Sequence, residues 1–177
     1  RYIAVTGVQT CALPIFLFYA NDQLFGIANP WGYHLTNALL HALNAAFLAM
    51  LVSGLMNGRF GKWERLWRGP PTAIAGGLLF ALFPQTTGAA SWISGRTDLL
   101  AVFFLLAAGV VFLLPLSRWW RIPAIVLLTI LSILSKESGF FTPVLLALFF
   151  FALWLGDENN EREPFSKAVI LPVVASA

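Results

Sequence analysis

The chain has 177 residues, enough for one soluble domain, but only 11% of them are charged, against roughly 25% in an ordinary globular protein. Hydrophobic residues make up 59% and aromatics 15%, with a mean hydropathy of +0.79, so nearly every stretch between charged clusters is long enough to span a membrane. A sequence pI of 9.4 does not point to nucleic acid, because the basic residues sit in short clusters between apolar runs. The single cysteine, Cys11, excludes an internal disulfide.

In chain order, Val5 to Ile15 (VTGVQTCALPI) reads as the translation of a common short-read sequencing adapter. Residues 1–15 are therefore set aside as non-native. Residues 16–177 are expected to be a partial transmembrane domain, cut at both ends. Five apolar segments follow: Tyr33 to Met56, Thr72 to Phe83, Leu99 to Leu116, Ile122 to Ser135 and Phe140 to Leu155. The run Ala168 to Ala177 begins a sixth. Because a spanning backbone must satisfy its own hydrogen bonds, the expected fold is all-α, a polytopic transmembrane helix bundle of five spans plus the start of a sixth. The fourth segment is only ~21 Å long, short for a core of about 30 Å. Trp119 and Trp120 suit the interface at one of its ends, so Lys136-Glu137-Ser138 is expected slightly within the membrane at the other.

Loop charges set the orientation. Arg59, Lys62, Arg65 and Arg68 share one face with Arg118, Arg121, Arg162 and Lys167, whereas Arg96 and Lys136 remain on the other. The positive-inside rule makes the first face cytoplasmic and the second periplasmic or lumenal, in a bacterial inner membrane or the endoplasmic reticulum. The inner loop Arg59 to Arg68, interleaved with Phe60, Trp63 and Trp67, is expected to lie on anionic headgroups. Asp157 to Pro164 reads as a solvated cytoplasmic connector.

Polar groups at membrane depth are costly and are functional candidates by default. His34, Asn37, His41 and Asn44 fall within an arc of about 80° on the first helix. The stripe must face other helices, either as hydrogen-bonding glue, the better reading for His41 and Asn44, or as site lining, plausible for His34 near the outer surface. The two histidines lie about 10.5 Å apart along the axis, too far to share a zinc ion. Phe83 to Leu100 reads as an outer loop. In it, Arg96 is either the surface partner of Asp98 at a helix start or a guanidinium that binds a phosphate bidentately. Lys136 beside Glu137 is either a snorkelling lysine or a second anion-binding cation. Asp22, in the stretch before the first helix, is more simply a turn or cap residue than a base. Pro30, Trp31 and Tyr33 read as a turn and interfacial belt. Walker, dinucleotide, CxxC and HExxH motifs are missing from the sequence.

The stretches NPWGYHLTNALLHALNA (Asn29 to Ala45), LLFALFP (Leu78 to Pro84), ASWISGRTDLLAVFFLL (Ala90 to Leu106) and LSKESGFFTPVLL (Leu134 to Leu146) come in order. Together they resemble the GT-C membrane glycosyltransferases, particularly the protein O-mannosyltransferase superfamily and its branch joined to tetratricopeptide repeats. The resemblance implies helices two to six of a larger enzyme. That enzyme would transfer a mannose-like hexose from a polyprenyl-phosphate donor to a protein or glycan acceptor on the outer face, with membrane lipids as further partners and no cofactor. Negative charge grows on the lipid phosphate as the glycosidic bond breaks, and Arg96 and Lys136 are the outer-face cations that would stabilise it. His34, Asn37, Asp98 and Glu137 are expected to line the site, Asp98 orienting Arg96 or the donor. The general base is implied in an upstream outer loop and is not assigned to Asp22. Relatives often carry His-Pro-x-His-x-Glu where this chain reads Phe83-Pro84-Gln85-Thr86-Thr87-Gly88, so no metal is expected. A transporter or lipid flippase, or a non-catalytic membrane subunit, would use the same stripe and cations as passage lining or glue.

Overall fold

A computed structural model describes residues 12–26, 28–56 and 71–158, with side chains over these ranges except at 55, 56 and 152–158. Among the described residues the regular structure is helical throughout: α1 (Ala12–Phe25), α2 (Pro30–Met56), α3 (Pro71–Leu82), α4 (Pro84–Ser91), a 3-10 turn (Ile93–Gly95), α5 (Arg96–Leu113), α6 (Arg118–Ser135), a second 3-10 turn (Glu137–Phe141) and α7 (Thr142–Glu158).

Local chemistry sets the boundaries. Gly26, at φ 80°, ends α1 by donating its N–H to the Asp22 carbonyl at 2.8 Å, a left-handed cap that favours glycine. Asn29 accepts from the Trp31 N–H at 3.2 Å and Pro30 occupies the first helical position, so the expected turn is the capped start of α2. Pro84 has no N–H to give to the Phe80 carbonyl, and the chain bends 55° between α3 and α4. The freed carbonyls find other donors. Thr86 Oγ1 donates to Phe80 O at 2.5 Å, and His41 Nε2 meets Ala81 O at 3.0 Å.

Helix α2 is the central post. It packs most extensively on α3 and α5, and α5 in turn packs on α6. Asn44 meets Leu99 near one end and Gly54 abuts Leu113 near the other, so α2 and α5 run parallel. Gly77 of α3 approaches Ala45 and Ala49, and Ser132 of α6 reaches Ala101, so α3 and α6 run the opposite way. Met50, Leu51, Val110 and Leu113 form the buried core, with Phe47, Leu106 and Phe149 packed against it. Phe112 stacks on Phe150 of α7 with ring centroids 3.8 Å apart.

Among the described residues, three helical stretches are long and apolar enough to cross a membrane: Pro30–Gly54, Ile93–Leu113 and Arg118–Ser135. A fourth exists if the bent α3 and α4 pair is one broken span. Five spans are more than the described residues show, because the stretch Glu137–Phe151 is a shorter apolar helix. The expected loop from Phe83 to Leu100 is instead α4, a 3-10 turn and the start of α5, and the stretch before the first helix contains α1. Proline and small polar residues carry no apolar periodicity, and α4, held by Thr86 and the α2 contacts, left none to read. Cys11, the Arg59 to Arg68 loop, the connector residues Arg162 and Lys167, and Ala168 to Ala177 lie outside the described residues.

Candidate functional site at the paired helix ends

The polar residues converge where α2 and α5 begin and α6 ends. Arg96 is the first residue of α5 and is 0% exposed. Its Nε donates to Asn37 Oδ1 at 3.0 Å, one terminal nitrogen to Leu17 O at 3.3 Å and the other to Tyr33 O at 3.1 Å. The guanidinium carbon also lies 4.5 Å from the Phe18 ring centroid and 5.6 Å from that of Tyr33, within cation–π range. Expected at the surface as a phosphate clamp or as the partner of Asp98, Arg96 is instead enclosed, its fork turned onto α1 and α2. A buried charge persists when it is hydrogen-bonded, and here each of the three guanidinium nitrogens has an acceptor.

Asn37, 0% exposed, is the amide at the hub. While accepting from Arg96 it donates Nδ2 to Trp92 O at 2.9 Å, where the chain is extended between α4 and the 3-10 turn. Asn44 donates to Leu99 O at 3.0 Å. Asn37, His41 and Asn44 thus use the stripe as glue between helices, while His34 is exposed at the start of α2. Asn21, which sequence reasoning did not single out, donates to Gly32 O at 2.9 Å and accepts from Thr36 Oγ1 at 3.0 Å, tying α1 to α2.

Lys136 and Asp98 pair directly, Nζ to Oδ1. Their side chains are 30% and 47% exposed, so this cation, unlike Arg96, meets the surroundings. Lys136 is extended at the end of α6 and Glu137, exposed, opens the second 3-10 turn. Two glycines make the approach of the chain segments possible. A Cβ on Gly139 would lie 2.3 Å from Ser132 O, and one on Gly95 would lie 2.1 Å from Ala89 O. The glycines of SGRTD and SKESG are therefore spacing requirements that bring Asp98 and Lys136 together.

A cleft of about 410 Å³ is lined chiefly by Ala101, Val102, Leu105, Phe141, Val144 and Leu145, with Ser138 and Gly139 just after Lys136 in the chain. Asp98, Val102 and Leu105 occupy one face of α5 at positions i, i+4 and i+7. Buried hydroxyls close the back of the cleft: Ser132 Oγ donates to Ala101 O at 2.9 Å and lies 2.8 Å from Thr142 Oγ1. Among the described residues, no group of three or more His, Cys, Asp or Glu side chains is placed to hold a metal ion. Asp22 is half-buried within α1.

No protein-family model matches the chain, and no solved structure matches it. Curated proteins do. Mouse protein O-mannosyl-transferase TMTC4 is 36% identical over 98 residues, 54% of this chain and 13% of the mouse protein. The Xenopus laevis protein O-mannosyl-transferase tmtc2 is 34% identical over 130 residues, 70% of this chain and 14% of the frog protein. Drosophila melanogaster protein O-mannosyl-transferase Tmtc2 is 26% identical over 167 residues, 90% of this chain and 17% of the fly protein. The chain spans about one-seventh of the length of the relatives it matches. A helical chain with several apolar helices, similar over most of its length to these proteins, is a membrane protein related to the TMTC protein O-mannosyl-transferases.

Proposed function

We propose that the chain is part of a glycosyltransferase that moves a mannose-like hexose from a polyprenyl phosphate to a protein acceptor, at the periplasmic or lumenal end where Lys136 and Asp98 sit. The observation that carries this reading is an accessible cation, Lys136, two residues before Ser138 in the lining of an apolar cleft, paired with Asp98 on the helix face that carries Val102 and Leu105 of the same lining. A polyprenyl-phosphate sugar combines those two chemistries, an anionic head and a hydrocarbon tail. Relatives named as protein O-mannosyl-transferases supply the sugar and the protein acceptor.

As the bond from the sugar to phosphate breaks, charge accumulates on the phosphate oxygens. Lys136 Nζ is placed to stabilise it, more strongly in the transition state than in the ground state. Arg96 is a positioning residue in this scheme: with Asn37 it fixes the start of α5 and hence the place of Asp98. His34 and Glu137, exposed at the same end, are proposed lining for the sugar or acceptor. The base that activates the acceptor hydroxyl is assigned to none of the described residues. Five spans and the start of a sixth remain the proposed arrangement of residues 16–177.

The test is sugar transfer by a protein that carries these residues together with the outer loop to which the base is assigned, purified in nanodiscs and supplied with polyprenyl-phosphate mannose or with a nucleotide-linked mannose. Transfer is expected from the lipid donor, and Lys136→Met should lower its rate about 100-fold to 1000-fold, the loss typical of one transition-state donor. Transfer by Lys136→Met within a few-fold of the parent, or equal use of the nucleotide sugar, would overturn the reading.

A further inference from the structure

The ion pair of Asp98 with Lys136 does little for the fold. Half-exposed pairs contribute weakly to stability, and the α5 to α6 contact is already secured by Ser132 on Ala101 O at 2.9 Å. The second 3-10 turn is held by Gly139 N–H donating to Lys136 O at 2.8 Å. Yet Asp98 shares a face of α5 with Val102 and Leu105, which line an apolar cleft, and Lys136 lies two residues before Ser138, which lines it too. A cleft of this kind, open toward a bilayer, invites the chains of abundant phospholipids.

Asp98 also has somewhere else to go. It is the third residue of α5, whose cap residue Gly95 makes no side-chain cap bond. The amides of Gly95 and Arg96 already donate to the Trp92 and Ile93 carbonyls of the preceding turn, but a carboxylate in the first turn of α5 is still stabilised by the helix dipole. Released from Lys136, the carboxylate keeps that dipole and, with a side chain 47% exposed, its contact with the surroundings.

We propose that Asp98 is the resident competitor of the donor phosphate: it occupies Lys136 when no donor is bound and yields it to a phosphate head whose tail enters the cleft. This deepens the polyprenyl-phosphate reading and rests on it. The donor is a phosphodiester with one negative charge, as a carboxylate has, so its advantage over Asp98 comes from the tail held in the cleft; the monoester phosphate left once the sugar has gone carries more charge and more acceptor oxygens. A zwitterionic headgroup, already neutralised by its own ammonium, gains little by displacing Asp98. The pair therefore admits the donor and turns away bulk lipid.

The experiment measures binding of farnesyl phosphate to the full chain in phosphatidylcholine nanodiscs, with farnesol and inorganic phosphate as probes of tail and head alone. Asp98→Asn should bind farnesyl phosphate about fivefold more tightly, the size of a half-exposed ion pair. Asp98→Ser, at home in a first helical turn, should give the same gain. Lys136→Met should bind about tenfold more weakly, and adding Asp98→Asn to it should change nothing further, because Asp98 acts through Lys136. Parental binding that is unchanged or weakened by both Asp98 variants overturns the competitor role and leaves the donor reading standing. A parent that takes no farnesyl phosphate overturns both. Inorganic phosphate bound as tightly as farnesyl phosphate would remove the cleft from the site and overturn the exchange as drawn.

Discussion

Arg96 separates two kinds of buried arginine. A guanidinium that serves a ligand keeps part of its fork free, whereas this one donates to Asn37, Leu17 and Tyr33 and is 0% exposed. Arg96→Ala strands Asn37 Oδ1, at about 1–3 kcal/mol for an acceptor left without a donor, while the Tyr33 carbonyl keeps its place in the α2 ladder. Arg96→Lys keeps the charge but not the planar fork. Both variants are expected to lower the melting temperature of the detergent-solubilised chain, Ala more than Lys, while the folded fraction binds farnesyl phosphate within about threefold of the parent. A variant that melts like the parent and loses transfer about 100-fold would put the guanidinium on the phosphate after all. The sequence identified Arg96 as unusual, because an arginine beside an apolar helix is costly wherever it sits. It did not show which way the side chain turns. That depends on Leu17 and Phe18 of α1, a helix that begins inside the stretch set aside as non-native and that the sequence reading therefore does not place.

At the scale of elements, the long apolar helices were legible and the joints between them were not. The boundaries read for α2 and α5 fall within a few residues of Pro30–Met56 and Arg96–Leu113, because sustained apolar composition dictates helix in lipid. The joints are built from single contacts: a carbonyl at the bend after α3 taken by His41, an asparagine reaching the extended residue Trp92, two glycines pressed on backbone. None of these has a periodicity, and each depends on residues distant in sequence. Glycine makes the cleanest test. Gly95→Ala would force a Cβ to 2.1 Å from the Ala89 carbonyl oxygen, whereas nothing lies within 4 Å of a Cβ at Gly88. Gly95→Ala should destabilise by about 1–3 kcal/mol or more, since backbone cannot yield as a flexible side chain does. Gly88→Ala, inside α4, should be neutral or stabilising by up to ~1 kcal/mol. Thermal unfolding of the two variants side by side reads the difference, and equal melting temperatures would mean that the 3-10 turn does not rest on α4.

At the scale of the molecule, helix direction ties the chemistry to one side of a membrane. Because α2 and α5 run parallel and α6 returns antiparallel, Ser91, Arg96, Asp98 and Lys136 gather at one end, and Ser117, Arg118 and Arg121 lie at the other. Broad faces of α6 and α7, including Ile122, Val126, Leu127, Val144 and Leu148, are exposed, as suits lipid or further helices and not water. Trp119 and Trp120, 87% and 75% exposed, flank the basic end as interfacial anchors do. The positive-inside rule then directs Arg118 and Arg121 to the cytoplasm and Lys136 to the periplasm or lumen. In a Cys11→Ser background, Ser91→Cys and Ser117→Cys, both at exposed positions, should respond oppositely to a membrane-impermeant maleimide applied to intact cells or sealed microsomes from the matching side. From the periplasmic or lumenal side, Ser91→Cys alone should react; permeabilisation should then expose Ser117→Cys. Reaction of Ser117→Cys alone would invert the protein, putting the Lys136 pair on the cytoplasmic face. The charged head of a polyprenyl donor would then have to be met on that side, and the assignment of Lys136 to an outward-facing transfer would fall with the topology.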